Sequence, residues 1–262
     1  MDYDAVGPSV HLASRFEQLA VPNSIRLTRE TYALAQGHMV VQSLGLQQIR
    51  GLSSPIEIFE LVGPAADQTR LRGLAAQNLM RFVGREQEYE MLRLASQRSL
   101  EGHGQAIGIV GEPGVGKSRM CLEFARSSDV ANCQILDTGG ISYRRGAAYL
   151  GLIGLPKSQF GIEADDDIDQ INIKIRDGVA EAELDGDDLD AMFALLDIPV
   201  KDPGWHELLP QQRRHRVFDA LNRLFARLAN QAPLILIFED LHWMDEESIA
   251  FVNALASSIA DQ

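Results

Sequence analysis

Eight consecutive residues, Gly111-Glu112-Pro113-Gly114-Val115-Gly116-Lys117-Ser118, fit the spacing G-x-x-x-x-G-K-S in full. The chemistry they suit is phosphate binding. The glycines let backbone N–H groups converge on a β-phosphate, and a helix starting behind them adds its positive end. Lys117 places an ammonium between the β- and γ-phosphates, and Ser118 offers a hydroxyl to Mg2+. Such a loop works only between a strand and a helix. Residues 106–110 read as the buried strand and 117–126 as the helix.

A phosphate loop also needs an acid at the tip of a parallel strand. Residues 234–238 are apolar and end in Glu239-Asp240. One carboxylate holds the Mg2+, and the other orients or deprotonates the attacking water. Position assigns Glu239 to the metal and Asp240 to the water, while the reverse order satisfies the same pattern.

Other clusters have plainer readings. Arg213-Arg214-His215-Arg216 lies early in an amphipathic helix with no interleaved aromatics, which suits a solvated face better than a nucleic-acid patch. The histidines show no ligand spacing, and His242 reads as packing beside the acidic strand end. Trp205 and Trp243 read as core or interface residues. Cys121 and Cys133 match neither a disulfide framework nor a metal spacing, so a reducing cytosol is expected.

Composition narrows the class. Apolar residues at 45% and charged residues at 23% are globular values. The longest apolar run, 191–196, is far too short to cross a bilayer, and the first residues show no secretory pattern. The net charge of −13 is concentrated between Glu163 and Asp190, where twelve acids face Lys174 and Arg176, a balance of −10 that leaves −3 elsewhere. That acidic run reads as a solvated surface. The charge weighs against a nucleic-acid ligand and therefore against a phosphate-loop motor on DNA or RNA.

The elements that must position the site divide into two groups. Residues 66–79 follow Gly63-Pro64, lack strand or strong helical patterning, and read as a linker. Before them, 8–20 reads as a helix with Pro8 in its first turn, 24–27 as a strand, and 29–35 as a helix capped by Thr28. Strands are expected at 39–43 and 56–61. After the linker, helices are expected at 85–100, 211–228 and 246–259, with strands at 133–136 and 234–238. On the helix 211–228, Val217, Leu221, Leu224, Phe225 and Leu228 share a face.

Phe82-Val83-Gly84-Arg85-Glu86, the loop 111–118 and Glu239-Asp240-Leu241-His242-Trp243-Met244-Asp245 together resemble the AAA-type ATPase module of STAND signalling NTPases. The resemblance covers 81–262. It implies an α/β fold with a parallel sheet and flanking helices, an Mg·ATP ligand, and a base pocket formed with Phe82, Val83 and Arg85. Met244 departs from the small residue common there. In that family the strand after the acidic one inserts between it and the phosphate-loop strand. The sequence ends after the next helix, so no native ladder is expected between 106–110 and 234–238. A poorly soluble chain with little hydrolysis is expected too.

Tyr3-Asp4-Ala5-Val6-Gly7-Pro8-Ser9-Val10-His11-Leu12-Ala13-Ser14-Arg15, with Leu44-Gly45, Ile49-Arg50-Gly51 and the strand from Pro55 to Leu61, resembles the closing, α+β part of class III nucleotide cyclase domains. The resemblance covers residues 1–63, with 64–80 as linker. It implies that Asp4 accepts from the adenine amino group, and that Arg15 and Arg50 bind the transferring and triphosphate oxygens. It also implies pairing of such domains in the parent protein. His11 replaces the usual Asn, a departure at the transition-state contact. The metal-binding aspartates of such domains fall upstream of these residues, so residues 1–63 are not expected to cyclise ATP alone.

The expectation is therefore a cytosolic signalling regulator in which a phosphate-loop ATPase acts as a slow switch beside a cyclase domain. The alternative is a nucleotide-binding scaffold without turnover.

Overall fold

A computed structural model describes residues 7–35, 39–49, 52, 54–64, 70–75, 79–140, 148–163 and 166–260. The chain separates into two compact units. One comprises Met1–Gln68 with Ala75–Gln77, the other Thr69–Leu74 with Asn78–Gln262.

In the first unit, helix α1 (Pro8–Leu19) starts on a proline, which needs no N–H partner in the first turn. Strand β1 (Arg26–Thr28) lies two residues later than the sequence suggests. Thr28 caps α2 (Arg29–Ala35) as expected, its hydroxyl accepting from the Thr31 N–H at 3.2 Å. Strands β2 (Met39–Gln47) and β3 (Ile56–Pro64) outrun their expected ends. They extend because antiparallel pairing continues past a bulge, where polar residues need no apolar alternation. The sheet order is β1-β3-β2, all antiparallel, and Phe16, Ile49 and Ile58 form its core.

The second unit begins with a difference. Residues expected to be unstructured linker contain a helix, α3 (Arg70–Ala75), and Leu71 on it is only 6% exposed. Its order comes from tertiary contact, which local patterning does not encode. Helix α4 (Glu86–Leu100) and helix α5 (Lys117–Ala125) match the sequence reading. The buried strand expected at 106–110 is absent. That segment has no regular secondary structure and no ladder partner among the described residues, and Ile107 and Val110 are exposed, Val110 at 96%.

Strand β4 (Gln134–Gly139) leads through helices α6 (Gly154–Gln159), α7 (Ile168–Glu181), α8 (Gly186–Leu195), α9 (Pro203–Glu207) and α10 (Pro210–Gln231) to β5 (Leu234–Glu239). Helix α11 (Glu246–Ala260) follows. β4 and β5 pair in parallel from Gln134↔Leu234 to Gly139↔Glu239, and the intervening helices supply the crossover that parallel pairing requires. β5 was expected to be buried but is half-buried until Glu239.

Successive side chains of a strand face opposite sides, and each side meets its own cluster. Leu136, Leu234, Leu236 and Phe238 join the large core under α7, α8 and α10. Ile135 and Ile235 join Leu92, Met120, Phe124 and Val130 beneath the phosphate loop. The five residues expected on the inner face of α10 are all buried.

The acidic run is not uniformly solvated. Asp188, 1% exposed, accepts from both the Nε and the Nη2 of Arg223. No helix among the described residues is long and apolar enough to cross a membrane.

Candidate functional site

The phosphate loop is built from its backbone up. Gly116 caps α5 with φ 92° and ψ 21°, a left-handed conformation that a side chain would strain. The turn presents the first N–H groups of α5, which have no acceptor within the helix. Residues Gly111 to Gly116 are exposed, while Lys117 and Ser118 are half-buried. The Lys117 Nζ donates to its own loop, to the Gly111 carbonyl at 2.9 Å and the Glu112 carbonyl at 3.0 Å. The ammonium is thus held within the loop, over the concavity that Pro113, Gly114 and Val115 close.

The acid strand end meets this loop. Glu239 is 6% exposed at the tip of β5, and the Ser118 side chain lies near enough to favour its ionised form. Its Oε2 also accepts from the Leu71 N–H of α3 at 2.8 Å. Burial pushes the Glu239 carboxyl above its ordinary range. The Ser118 and Leu71 donors oppose that, and the charges of Asp240 and Asp137 add to it. Burial, and then Glu239's charge, pushes the neighbouring Cys121 thiol up to about 11, so it stays protonated. Cys121 and Cys133 are both free.

Asp240 is half-buried and left-handed, at φ 49°, a conformation that Asp tolerates better than most residues. Its carbonyl accepts from the Trp243 N–H at 2.8 Å, so the turn 240–244 is fixed immediately after the strand. The sequence therefore brings Lys117, Ser118, Glu239 and Asp240 to one end of the sheet. Trp205 is core, but Trp243 and His242 are exposed and meet each other tilted by 45°, with ring centroids 5.1 Å apart. His242 is not the packing residue expected.

Beside the loop lies a cavity of about 110 Å³ lined by Arg85, Glu88, Ile109, Val115, Lys117 and Met120 among others. Arg85 ties it together, donating to Glu88 at 2.7 Å and to the Val115 carbonyl at 3.0 Å. Phe82 packs against Tyr89 and the small core. Of the three residues expected in the base pocket, Arg85 lines this cavity and Phe82 and Val83 do not, Val83 being 69% exposed. The sequence reading missed Glu88 and Met120, which helical periodicity from Arg85 and Lys117 brings to the same side, and Ile109, which comes from the segment before the loop.

Two further carboxylates were missed. Asp137 is buried within β4, and an acid inside an apolar strand was its visible signal. Asp245 accepts from the Tyr149 N–H at 2.9 Å, the Gly151 N–H at 3.3 Å, and the Ser248 N–H and hydroxyl at 3.0 and 2.6 Å. Burial alone raises this carboxyl, yet the Ser248, Tyr149 and Gly151 donors together hold it below the ordinary range. It stays ionised and pins α11 to the 149–151 turn.

Of the cyclase-like candidates, Asp4 and Arg50 lie outside the described residues, and Arg15 is half-buried on α1. The basic run on α10 is largely engaged in the protein. Arg214 pairs with Glu247 at 2.8 Å, Arg216 with Asp187 at 3.0 Å, and Arg213 donates to the His206 carbonyl.

The donor set fits an Mg2+ nucleotide. One hydroxyl and one carboxylate, from Ser118 and Glu239, would leave the remaining cation positions to phosphate oxygens and water, the usual arrangement for Mg2+. No cluster of three or more His, Cys, Asp or Glu suited to a metal occurs among the described residues, and such a site does not require one.

A protein of Rhizobium meliloti (strain 1021) named "Uncharacterized protein R02095" is 23% identical over 261 residues, 97% of this chain. The chain spans about a quarter of that relative, 24% of its length. No solved structure matches the chain. The family model described as AAA ATPase domain matches residues 81–261. That span covers well over half of the 262 residues and contains both the loop and the acidic strand end, so the chain belongs to the AAA ATPase domain family.

Proposed function

We propose that the AAA ATPase domain of this chain binds Mg·ATP and hydrolyses it slowly, as the switch of a signalling regulator of the STAND class. One observation carries the reading: the Glu239 carboxylate buried at the tip of β5, with Ser118 of the phosphate loop near enough to favour its ionised form. In this proposal the 111–116 loop donates its N–H groups to the β-phosphate, and Lys117 leaves the Gly111 and Glu112 carbonyls for the β- and γ-phosphate oxygens. Ser118 and Glu239 hold the cation. When bound, Mg2+ supplies positive charge that neutralises the phosphate oxygens as the γ-phosphoryl group transfers. Asp240 orients the attacking water and takes its proton. Arg85 braces the loop through Val115 and closes the base pocket with Phe82.

Residues 1–63 are proposed to be the closing portion of a class III nucleotide cyclase domain, with Asp4, Arg15 and Arg50 facing nucleotide in a paired parent domain. The sequence from Tyr3 to Arg15 supports this reading. A second reading, a nucleotide-binding scaffold without turnover, is favoured by the existing engagement of Glu239 by Leu71.

Turnover and binding of Mg·ATP by the wild type and Asp240→Asn separate the two. The proposal expects Asp240→Asn to retain binding and lose turnover by about 10²-fold or more. Equal turnover in both proteins removes Asp240 from the mechanism. Binding without turnover in the wild type selects the scaffold.

A further inference from the structure

The contact between α3 and the acidic strand end joins residues 168 positions apart in sequence. Leu71 is the second residue of α3, and an N–H in the first turn of a helix has no acceptor within it. Here that N–H is spent on Glu239 Oε2, at 2.8 Å in a buried setting. The side chain of Leu71 is buried too, at 6% exposure, so the segment is held by apolar packing as well as by its amide.

The geometry has a direct electrostatic consequence. A carboxylate lone pair that accepts from an N–H is not available to a cation, and the partial positive charge of the donor repels a cation brought to the same place. The Glu239 Oε2 assigned to Mg2+ is thus already engaged by the Leu71 N–H. Lys117 is likewise satisfied by its own loop. The polar groups of the phosphate end have partners in an arrangement that must be taken apart before nucleotide and cation enter. α3 contributes to that arrangement from outside the loop and strand.

Resting on the proposed Mg·ATP site, we propose that residues 70–75 are an autoinhibitory plug. Docking of the Leu71 N–H on Glu239 and loading of Mg·ATP exclude one another. By linkage, whatever loosens α3 raises affinity for Mg·ATP, and Mg·ATP by the same factor releases α3. The released segment is the covalent connection to the first unit, so nucleotide state is communicated along the chain itself.

The test uses the full chain. Leu71→Pro removes the N–H at a helix position where proline is tolerated, and Leu71→Ala keeps the N–H while trimming the buried side chain. Calorimetric titration with Mg·ATP, and with ATP in EDTA, reads the cation-dependent part. Amide hydrogen exchange of residues 72–75 reads docking without reference to turnover. The expectation is about tenfold tighter Mg·ATP binding by Leu71→Pro, a smaller gain for Leu71→Ala, and little change in EDTA. Mg·ATP should also accelerate exchange of 72–75 at least tenfold in the wild type. Wild-type binding with unchanged exchange overturns the plug while leaving the proposed function standing. So does Mg·ATP affinity of a folded Leu71→Pro that stays within twofold of wild type or falls below it. Failure of all three proteins to bind Mg·ATP overturns the proposed function, and the plug with it.

Discussion

Gly140 is the position at which the smallest side chain should do the most damage. It directly follows β4, and its N–H donates to the Glu239 carbonyl at 3.1 Å. A Cβ there would lie 2.6 Å from the Trp243 carbonyl carbon, and 2.7 Å from both the Asp240 carbonyl oxygen and the Met244 nitrogen. All three are backbone atoms of the turn that carries Asp240, so no side chain can swing aside. Ordinary contact begins near 3.4 Å, and 3.4 minus 2.6 requires the turn to retreat by 0.8 Å. Overpacking of this kind costs about 1–3 kcal/mol, and a backbone obstacle puts Gly140→Ala near the upper end. With a urea m-value of about 2 kcal/mol/M, the unfolding midpoint should fall by about 1.5 M. A displacement approaching 1 Å in a catalytic group costs on the order of 10²-fold in rate, so kcat should fall steeply while Mg·ATP affinity changes little. Gly186→Ala is the control, because a Cβ there meets nothing within 4 Å. A Gly140→Ala protein that matches Gly186→Ala in both urea midpoint and turnover would refute the steric argument. Intact kcat with lost affinity would instead place the displaced turn in binding.

Lys117→Ala should weaken Mg·ATP binding by roughly 10- to 100-fold, the worth of a charge-assisted phosphate contact; unchanged affinity in a calorimetric titration removes Lys117 from the site. Arg223→Ala leaves the Asp188 carboxylate buried, with the Asp185 N–H as a remaining donor. It should cost about 2 kcal/mol, less than a fully enclosed pair because the guanidinium is 48% exposed, and a loss under about 0.5 kcal/mol in urea unfolding contradicts this. The raised carboxyl of Glu239 disfavours its ionised form in the folded state, a cost present above the raised pKa and relieved as pH falls through it. Glu239→Gln should therefore melt higher than wild type at neutral pH, and the gap should close as pH drops toward the ordinary carboxylate range. A gap that is reversed or independent of pH rejects the cause assigned.

The loop 111–118 and the acids at 239–240 were legible because their function fixes residue type and spacing together. Helix α10 was legible because one apolar face must be buried along its whole length. What escaped the sequence depended on partners distant along the chain. The pattern of 106–110 signals a strand, but a strand is a pairing, and this segment has no ladder partner among the described residues. α3 is too short to be read from propensity, and the contact that orders it lies at Glu239. Asp188 was lost among its acidic neighbours, since only the approach of Arg223 from α10 distinguishes it.

The two faces of the β4–β5 pair are unequally furnished. One meets an extensive helical core, and the other meets the four buried side chains Leu92, Met120, Phe124 and Val130. Apolar burial is the chief source of cooperative stability, so the face that handles nucleotide melts more readily than the face that does not. Ligand free energy, RT ln(1 + [L]/Kd), is then added where the protein's own reserve is smallest. A nucleotide bound there would act as the missing part of a core, stiffening the phosphate end while leaving the helical end unchanged.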